Sequence, residues 1–305
     1  DFDIIHIHGV GPALLAWLPK IFARRAKVVV TFHCIDRKHQ KWGRFARFAL
    51  RLGEYMACRF SDRTITVSRS LNKYCAEVYD VFTEYIPNGI TQNPIVGHDK
   101  LKNFNLEPKE YILAVSRLVP HKGIHYLIKA YKDLKERKPE IIGAKKLAIV
   151  GGSAFTDDYV KELKDLADGD KDIIFTDYQS GESLFQLYKN AYLYVHPSES
   201  EGLPTSILEA MSWRVPVLAS NIRENMEAVQ DFGIVFENKN IKDLVKKLEQ
   251  YLPRADYLAD LGSRSCEFVY KNYNWQDIGK DVLGLYFDLN PEIKFELESL
   301  VCVKE

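Results

Sequence analysis

Short β-branched runs alternate with longer helical segments along nearly the whole chain, and this alternation restricts the fold more than any other feature. The predicted strands are 4–8, Lys27–Phe32, Arg63–Val67, Tyr111–Val115, Lys145–Val150, Ile173–Phe175, Leu193–His196, Val215–Leu218 and Gly233–Phe236. The predicted helices between them include Trp42–Phe60, Gly123–Arg137, Asp157–Leu166, Glu182–Asn190, Thr205–Met211 and Asn240–Tyr251. Such alternation predicts an α/β fold with parallel sheets, and the unbroken apolar strands predict helices on both faces.

The 305 residues suit about two domains. The turn Pro87-Asn88-Gly89 is followed by a polar stretch, and a second strand–helix series begins at Tyr111. We therefore predict one domain over 1–92 and a second over 93–272.

Bulk composition excludes several classes of protein. Lys plus Arg equals Asp plus Glu at 42 each, so no overall charge favours nucleic acid. The apolar stretch at 11–23 is too short to span a bilayer. Five scattered cysteines without metal-site spacing indicate reduced thiols in a cytoplasmic protein, and they lie at 34, 58, 75, 266 and 302. Two DxD-like triplets, at 1–3 and 168–170, precede a strand or lie in a charged turn, so no metal site is predicted.

Ligands of parallel sheets bind beyond the carboxyl ends of the strands. After strand 111–115, Arg117 and Lys122 lead into the helix that begins near Gly123. Two cations beside a helix N-terminus suit a diphosphate, although two solvated surface cations would give the same pattern. After strand 145–150, the turn at Gly151 and Gly152 allows a close ligand approach or merely tight packing.

The strongest signal follows strand 193–196. Glu201 lies in the loop before a helix that opens at Thr205 or Ser206, and Glu209 lies one turn into that helix. Carboxylates accept hydrogen bonds from two vicinal hydroxyls, so both suit one polyhydroxylated ligand. A helix-dipole role explains Glu201 adequately, but it explains a glutamate within an apolar helix poorly.

Four motifs in order resemble family 4 retaining glycosyltransferases of the GT-B fold, over about residues 3–289. They are Pro87-Asn88-Gly89, Ser116-Arg117-Leu118 with Lys122-Gly123, Pro197-Ser198 with Glu201-x7-Glu209-Ala210-Met211, and Tyr273-Asn274-Trp275. The resemblance implies two Rossmann-like domains whose parallel sheets face a cleft. It also implies a C-terminal helix at 273–289 that crosses back to the first domain, before a tail at 290–305. Family members carry roughly 80 further residues before Asp1, so the first domain is expected to be incomplete here.

The resemblance also implies roles for individual residues. Arg117 and Lys122 would hold the donor diphosphate, Glu209 the ribose hydroxyls and Glu201 the hydroxyls of the transferred sugar. The donor-binding set would be completed by Gly151, Gly152, Tyr178, Gly202, Leu203, Pro204, Thr205 and Ser206. The departing phosphate would deprotonate the acceptor, so no metal and no other cofactor is expected beside the nucleotide-sugar co-substrate.

In the first domain, the resemblance places His33 near the reacting carbon of the sugar. The family more often has glycine where this chain has Cys34, and likewise at Asp177 beside the base. A structural strand-end histidine is the alternative for His33. Of the two histidines on the first strand, we expect only one to face the ligand, and His8 beside Gly9 is the better candidate.

The segment 42–60 reads as a basic amphipathic helix. Three arginines, at 44, 47 and 51, lie beside three apolar residues, Phe45, Phe48 and Leu52. Such a helix can lie on an anionic membrane, which would suit a glycan or lipid-linked acceptor at the inner face of the membrane. The alternative is a helix that packs Phe and Leu inward. The sequence as a whole thus predicts a metal-independent retaining glycosyltransferase, with a non-catalytic nucleotide-sugar-binding module or another GT-B enzyme as alternatives.

Overall fold

The computed structural model describes residues 2–38 and 42–292. Its chain forms two compact units, of which the second comprises Ile90–Asn272. The first unit runs to Gly89 and resumes at Tyr273. The sequence prediction divided the chain after residues 92 and 272. Asp1, Cys302 and most of the tail predicted at 290–305 lie outside the described residues.

The first unit contains a four-stranded parallel sheet in the order β1-β2-β3-β4. Its elements up to Gly89 are β1 (Ile4–His8), α1 (Leu18–Phe22), β2 (Lys27–Phe32), α2 (Arg44–Arg59), β3 (Arg63–Thr66), α3 (Arg69–Tyr79) and β4 (Glu84–Tyr85). The start of α3 shows why such helices form. The Ser68 hydroxyl accepts a hydrogen bond from the amide of Leu71, and Leu71, Cys75 and Tyr79 form one buried stripe.

The second unit contains a six-stranded parallel sheet in the order β10-β9-β8-β5-β6-β7. Its strands are β5 (Tyr111–Val115), β6 (Lys146–Val150), β7 (Ile173–Phe175), β8 (Leu193–His196), β9 (Val217–Ser220) and β10 (Ile234–Phe236). Its helices are α4 (Ile124–Arg137), α5 (Pro139–Ile142), α6 (Asp157–Ala167), α7 (Gly181–Lys189), α8 (Thr205–Ser212), α9 (Arg223–Val229), α10 (Ile241–Tyr251) and α11 (Ala255–Asn272). Helices such as α4 and α10 pack against the sheet in one apolar core.

The last described helix, α12 (Trp275–Leu289), belongs to the first unit. It completes a cluster of buried side chains formed by Val29, Ile65, Ile86, Ile278 and Leu285. A β-carbon at Gly89 would come within 2.9 Å of the Trp275 ring, so the Pro-Asn-Gly turn packs directly against the start of this helix.

Most predicted bounds match the observed ones or differ by one residue, but α2 begins two residues later than predicted, and β9 both begins and ends two residues later. Pro216 has no amide to donate into a sheet. The amide of Val215 instead donates to the carbonyl of Ala210 at the end of α8. The predicted elements did not include the helices α1, α3, α5, α9 and α11 or the strand β4. No helix in the described ranges is both long enough and apolar enough to cross a membrane.

Candidate active site

Two loops at the carboxyl edge of the second sheet lie side by side, because β5 and β8 are paired neighbours. The amide of Glu199 donates to the carbonyl of His121 at 2.7 Å. Gly123 has φ +69°, and a β-carbon there would lie 2.1 Å from the carbonyl oxygen of Pro197. The Arg-Lys segment and the glutamate loop therefore pack directly on each other at this edge.

Lys122 and Glu201 form an ion pair that is nearly excluded from solvent. The Lys122 Nζ lies 2.6 Å from Glu201 Oε1, and the two side chains are 14% and 8% exposed. Burial would raise the pKa of Glu201, but Lys122 and His196 together hold it well below its usual 4.5. The stabilisation from this carboxylate is therefore present at neutral pH and is lost as the pH falls below 4.5 towards the folded-state pKa. The alternative of two solvated cations does not hold for Lys122.

His196, at the end of β8, is a second partner of Glu201 to which the sequence pattern assigned no role. Its Nε2 lies 2.7 Å from Glu201 Oε1, and its ring is buried. Burial lowers the pKa of His196 below its usual value, which favours the neutral ring. Because a carboxylate only accepts, Nε2 carries the proton and donates to it. The signal available in the sequence was a histidine at the carboxyl end of a strand, five residues before Glu201.

Both hydrogen bonds to Glu201 reach Oε1, whereas Oε2 accepts none from the residues that the structure describes. The next helix, α8, starts close by in sequence and lacks a side-chain cap, since Pro204 occupies the capping position. Thr205 is exposed and Ser206 is partly exposed, whereas the preceding Gly202 and Leu203 are buried. The loop thus combines a carboxylate oxygen that accepts no bond from the described residues with uncapped helix amides.

Glu209 lies in the interior of α8 and does not act as a helix-dipole partner. The hydroxyl of Tyr188 donates to its Oε2 at 2.9 Å. Burial raises the pKa of Glu209, and the bond from Tyr188 opposes that shift only in part. Glu209 and Glu201 therefore lie in electrostatically different surroundings, although they are eight positions apart.

Arg117 follows β5, and its side chain is exposed. It forms no ion pair with any residue in the described ranges. Its neighbour Ser116 contacts Gly151, whose φ is +140° and whose β-carbon would lie 1.8 Å from the Ser116 carbonyl oxygen. Gly151 is thus required for packing between the β5 and β6 loops. Gly152 has open space, with Tyr178 the nearest neighbour at 4.0 Å from its ideal β-carbon.

The two departures from the family pattern differ in their structural cost. Asp177 has φ +56°, in the left-handed region that favours glycine. This explains why glycine is the more frequent residue there, and the following Tyr178 remains 76% exposed. Cys34, in contrast, does not have a positive φ, and its thiol donates to Asp36 at 3.2 Å. The structure therefore does not require glycine at position 34.

His33 follows β2 in the first unit, and its Nε2 lies 3.2 Å from Nδ1 of His8. The expectation that only one of His6 and His8 faces the ligand side was wrong, because residues two apart share one face of a strand. Their rings stack at 4.2 Å between centroids. His6 also contacts Thr31 at 2.7 Å and Tyr286 of α12 at 2.5 Å. Burial, and secondarily the charges of its histidine neighbours, lowers the pKa of His6 to about 4.

In the described ranges, no group of three or more His, Cys, Asp or Glu side chains is arranged to hold a metal ion. No disulfide links the cysteines at 34, 58, 75 and 266.

Residues 98–268, over half of the chain, match the family model for glycosyl transferases group 1. The chain belongs to this family. Residues 1–93 also match the model for Glycosyltransferase Family 4. The predictions of a GT-B fold with two Rossmann-like domains and of a glycosyltransferase enzyme are thereby confirmed.

Relatives of this glycosyltransferase agree with that assignment. An uncharacterised glycosyltransferase of Methanocaldococcus jannaschii is 26% identical, with 93% of this chain and 75% of the relative covered. The O-antigen chain mannosyltransferase B of Escherichia coli is 26% identical, with 67% of this chain and 51% of its own length covered. The crystal structure of Anabaena HepE in complex with UDP and glucose has a TM-score of 0.79 at 22% identity, with 93% of this chain and 77% of HepE covered.

Proposed function

We propose that this glycosyltransferase moves a sugar, with retention of configuration, from a nucleotide-diphosphate sugar to a hydroxyl of a glycan or lipid-linked acceptor. The observation that carries the proposal is Glu201, whose Oε1 is held twice while Oε2 stays available beside uncapped helix amides. HepE, which has the same fold, was crystallised with UDP and glucose. A mannosyltransferase acting on an O-antigen chain is among the relatives.

Each side chain at this edge has a role in the proposal. Arg117, whose guanidinium forms no ion pair with the described residues, binds the diphosphate, and Lys122 turns from Glu201 to the same phosphates when the nucleotide sugar enters. Glu209 accepts hydrogen bonds from the ribose hydroxyls. Glu201 Oε2 accepts them from the sugar. The remaining donor-binding positions, Gly151, Gly152, Tyr178 and 202–206, surround the base, phosphates and sugar through backbone and ring contacts.

Retention follows in the proposal from attack on the face that the phosphate leaves. As the bond from the anomeric carbon to phosphate breaks, a phosphate oxygen takes the proton of the acceptor hydroxyl, and the new glycosidic bond forms on that same face. Arg117 and Lys122 stabilise the charge that develops on the phosphate, so we propose that no metal is needed. His33 keeps the catalytic role in the first unit that the family resemblance implies.

Calorimetric titration with UDP, GDP and their sugar conjugates, without metal and then with magnesium, tests this proposal. We expect one nucleotide sugar to bind equally well in both buffers. Arg117→Ala should weaken its binding about tenfold or more, because a charge-assisted bond to phosphate is lost. Arg264→Ala, which removes an exposed arginine on α11, is the matched control and should bind as the wild type does. Absence of binding by any nucleotide, or binding that needs magnesium, would contradict the proposal.

The proposal includes peripheral contact with an anionic membrane through residues 42–60. Phe45 and Phe48 of α2 are 85% and 67% exposed, so the alternative that they pack inward was wrong. The arginines at 44, 47 and 51 are also exposed and form no ion pair with the described residues. Glu54, which is the only acidic residue of α2, is fully buried and bound by Arg37. An exposed face that carries arginine and phenylalanine but no carboxylate suits an anionic lipid surface.

Sedimentation with lipid vesicles tests this contact. We expect binding to vesicles with phosphatidylserine, weak binding to pure phosphatidylcholine, and release at high salt. Replacing Arg47 and Arg51 together with glutamine should weaken binding roughly thirtyfold, at about 1 kcal/mol for each arginine near the surface. Phe45→Ser should weaken it further, whereas Phe155→Ser, at a fully exposed phenylalanine of the second unit, should not. Equal sedimentation with both vesicle types would contradict the proposed contact.

A further inference from the structure

A buried chain of side chains supports Glu201 from the side away from solvent. Tyr194 and His196 are two residues apart on β8 and therefore share one face of the strand. The Tyr194 hydroxyl lies 3.2 Å from Nδ1 of His196 and 3.2 Å from the carbonyl oxygen of Val115 on β5. Both rings are buried and nearly parallel, at 6.0 Å between centroids. The imidazole is therefore held in place by neighbouring strands of the sheet.

The bond to Glu201 fixes one tautomer of the histidine. The carboxylate of Glu201 can only accept, so the proton lies on Nε2. In the neutral ring, Nδ1 is then an acceptor, and it shares the single proton of the Tyr194 hydroxyl with the Val115 carbonyl oxygen, each at 3.2 Å. His196 thus offers Glu201 a neutral donor at 2.7 Å that carries no competing charge.

His196 and Lys122 respond differently when the nucleotide sugar binds. Both bond the same oxygen of Glu201. Lys122 is a cation, and the phosphates of a nucleotide sugar compete with Glu201 for it. His196 is neutral and buried, so phosphate does not draw it away. Without His196, Oε1 of Glu201 would accept no hydrogen bond from the described residues after Lys122 turns to the phosphates.

We propose that His196 is a positioning residue that holds Oε1 of Glu201 so that Oε2 stays directed at the hydroxyls of the transferred sugar. The inference rests on the proposed donor site. It makes His196 a determinant of how strongly the enzyme prefers a nucleotide sugar over the bare nucleotide, because the diphosphate and base do not depend on Glu201. A role in packing alone would require only a flat ring at this position.

Three variants separate the two roles by titration with a nucleoside diphosphate and with its sugar conjugate. His196→Phe keeps a ring but removes the N–H that donates to Glu201. His196→Gln keeps an N–H near the position of Nε2. Tyr194→Phe removes the partner of Nδ1. We expect His196→Phe to bind the bare nucleotide within about twofold of wild type and to lose about tenfold or more in affinity for the sugar conjugate. His196→Gln should recover most of that loss. Tyr194→Phe should show a smaller loss in the same direction, and it provides a test even if His196→Phe does not fold.

Turnover provides a second measurement. If His196 served packing alone, its replacement would not change kcat while the affinity for bare nucleotide stayed the same. In His196→Phe, kcat should fall while the affinity for bare nucleotide stays the same, and His196→Gln should restore kcat. Either of two results would overturn the inference. One is an equal loss of nucleotide and nucleotide-sugar binding in His196→Phe and His196→Gln. The other is an unchanged preference for the sugar conjugate in His196→Phe and Tyr194→Phe.

The wild-type titration distinguishes this failure from failure of the proposed function. If the wild-type chain binds no nucleotide sugar, the donor site itself is wrong and the inference falls with it. If the wild type binds one, and Glu201→Gln reduces the sugar preference while His196→Phe does not, only the role of His196 is overturned.

Discussion

Replacing Glu201 with glutamine is expected to lower turnover of the donor about 100-fold. The amide cannot accept hydrogen bonds from Lys122, His196 and the sugar hydroxyls as a carboxylate does, and bonds to a charged group are worth about 1.5–3 kcal/mol each. The variant should also be less stable, because Lys122 would be left nearly buried without its partner. Release of nucleoside diphosphate from the donor identified by titration measures the first effect, and thermal unfolding measures the second.

Two controls separate catalysis from folding. Glu199→Gln alters a carboxylate two residues away that bonds Tyr126 and Lys239, and it should retain turnover within a few-fold. Lys122→Met combined with Glu201→Gln removes both buried charges, so stability should largely return while turnover stays low. Wild-type turnover in Glu201→Gln would refute the assignment of this residue to the donor site.

Gly123→Ala is expected to destabilise the second unit by about 2–5 kcal/mol. A left-handed backbone costs an alanine about 1–2 kcal/mol. The new methyl would lie 2.1 Å from the Pro197 carbonyl oxygen, which adds overpacking of about 1–3 kcal/mol. Because the two loops would have to separate, donor affinity should fall together with the midpoint of thermal unfolding.

Gly169→Ala is the matched control for the steric contribution to the destabilisation expected of Gly123→Ala. Gly169 has nearly the same φ, +66°, but no atom lies within 4 Å of an added β-carbon. It should therefore show only the backbone cost of about 1–2 kcal/mol and keep donor affinity. Equal destabilisation in the two variants would mean that contact with Pro197 is not what requires glycine at position 123.

Residue chemistry at strand ends was enough to select Lys122, Glu201 and Glu209 as candidate site residues. The sheet topology places them by a general rule, since carboxyl ends of parallel strands share one edge. The bond between Lys122 and Glu201 was not predictable in the same way. It joins residues 79 positions apart, and its geometry depends on how two loops pack. His196 was missed for a related reason, because nothing in a sequence states which tautomer a buried ring adopts.

The sequence pattern was also insufficient to predict which face of a helix or strand is covered by neighbouring elements. The spacing of Phe45 and Phe48 predicts an apolar face of a helix, but only the positions of neighbouring elements show that this face is exposed. The start of β9 depended on Val215, whose amide is used by the preceding helix. The error over His6 and His8 had another origin, since strand periodicity alone places both on one side.

The return of α12 to the first unit has a consequence for the order in which the protein is made. The ribosome completes the whole of Ile90–Asn272 before it reaches Trp275. The second unit is continuous in sequence and can fold during translation. The first unit must wait, with Val29, Ile65 and Ile86 uncovered until α12 emerges. A nonsense codon before Trp275 would therefore leave the nascent first unit with an open apolar face, the kind of surface that chaperones bind and proteases reach.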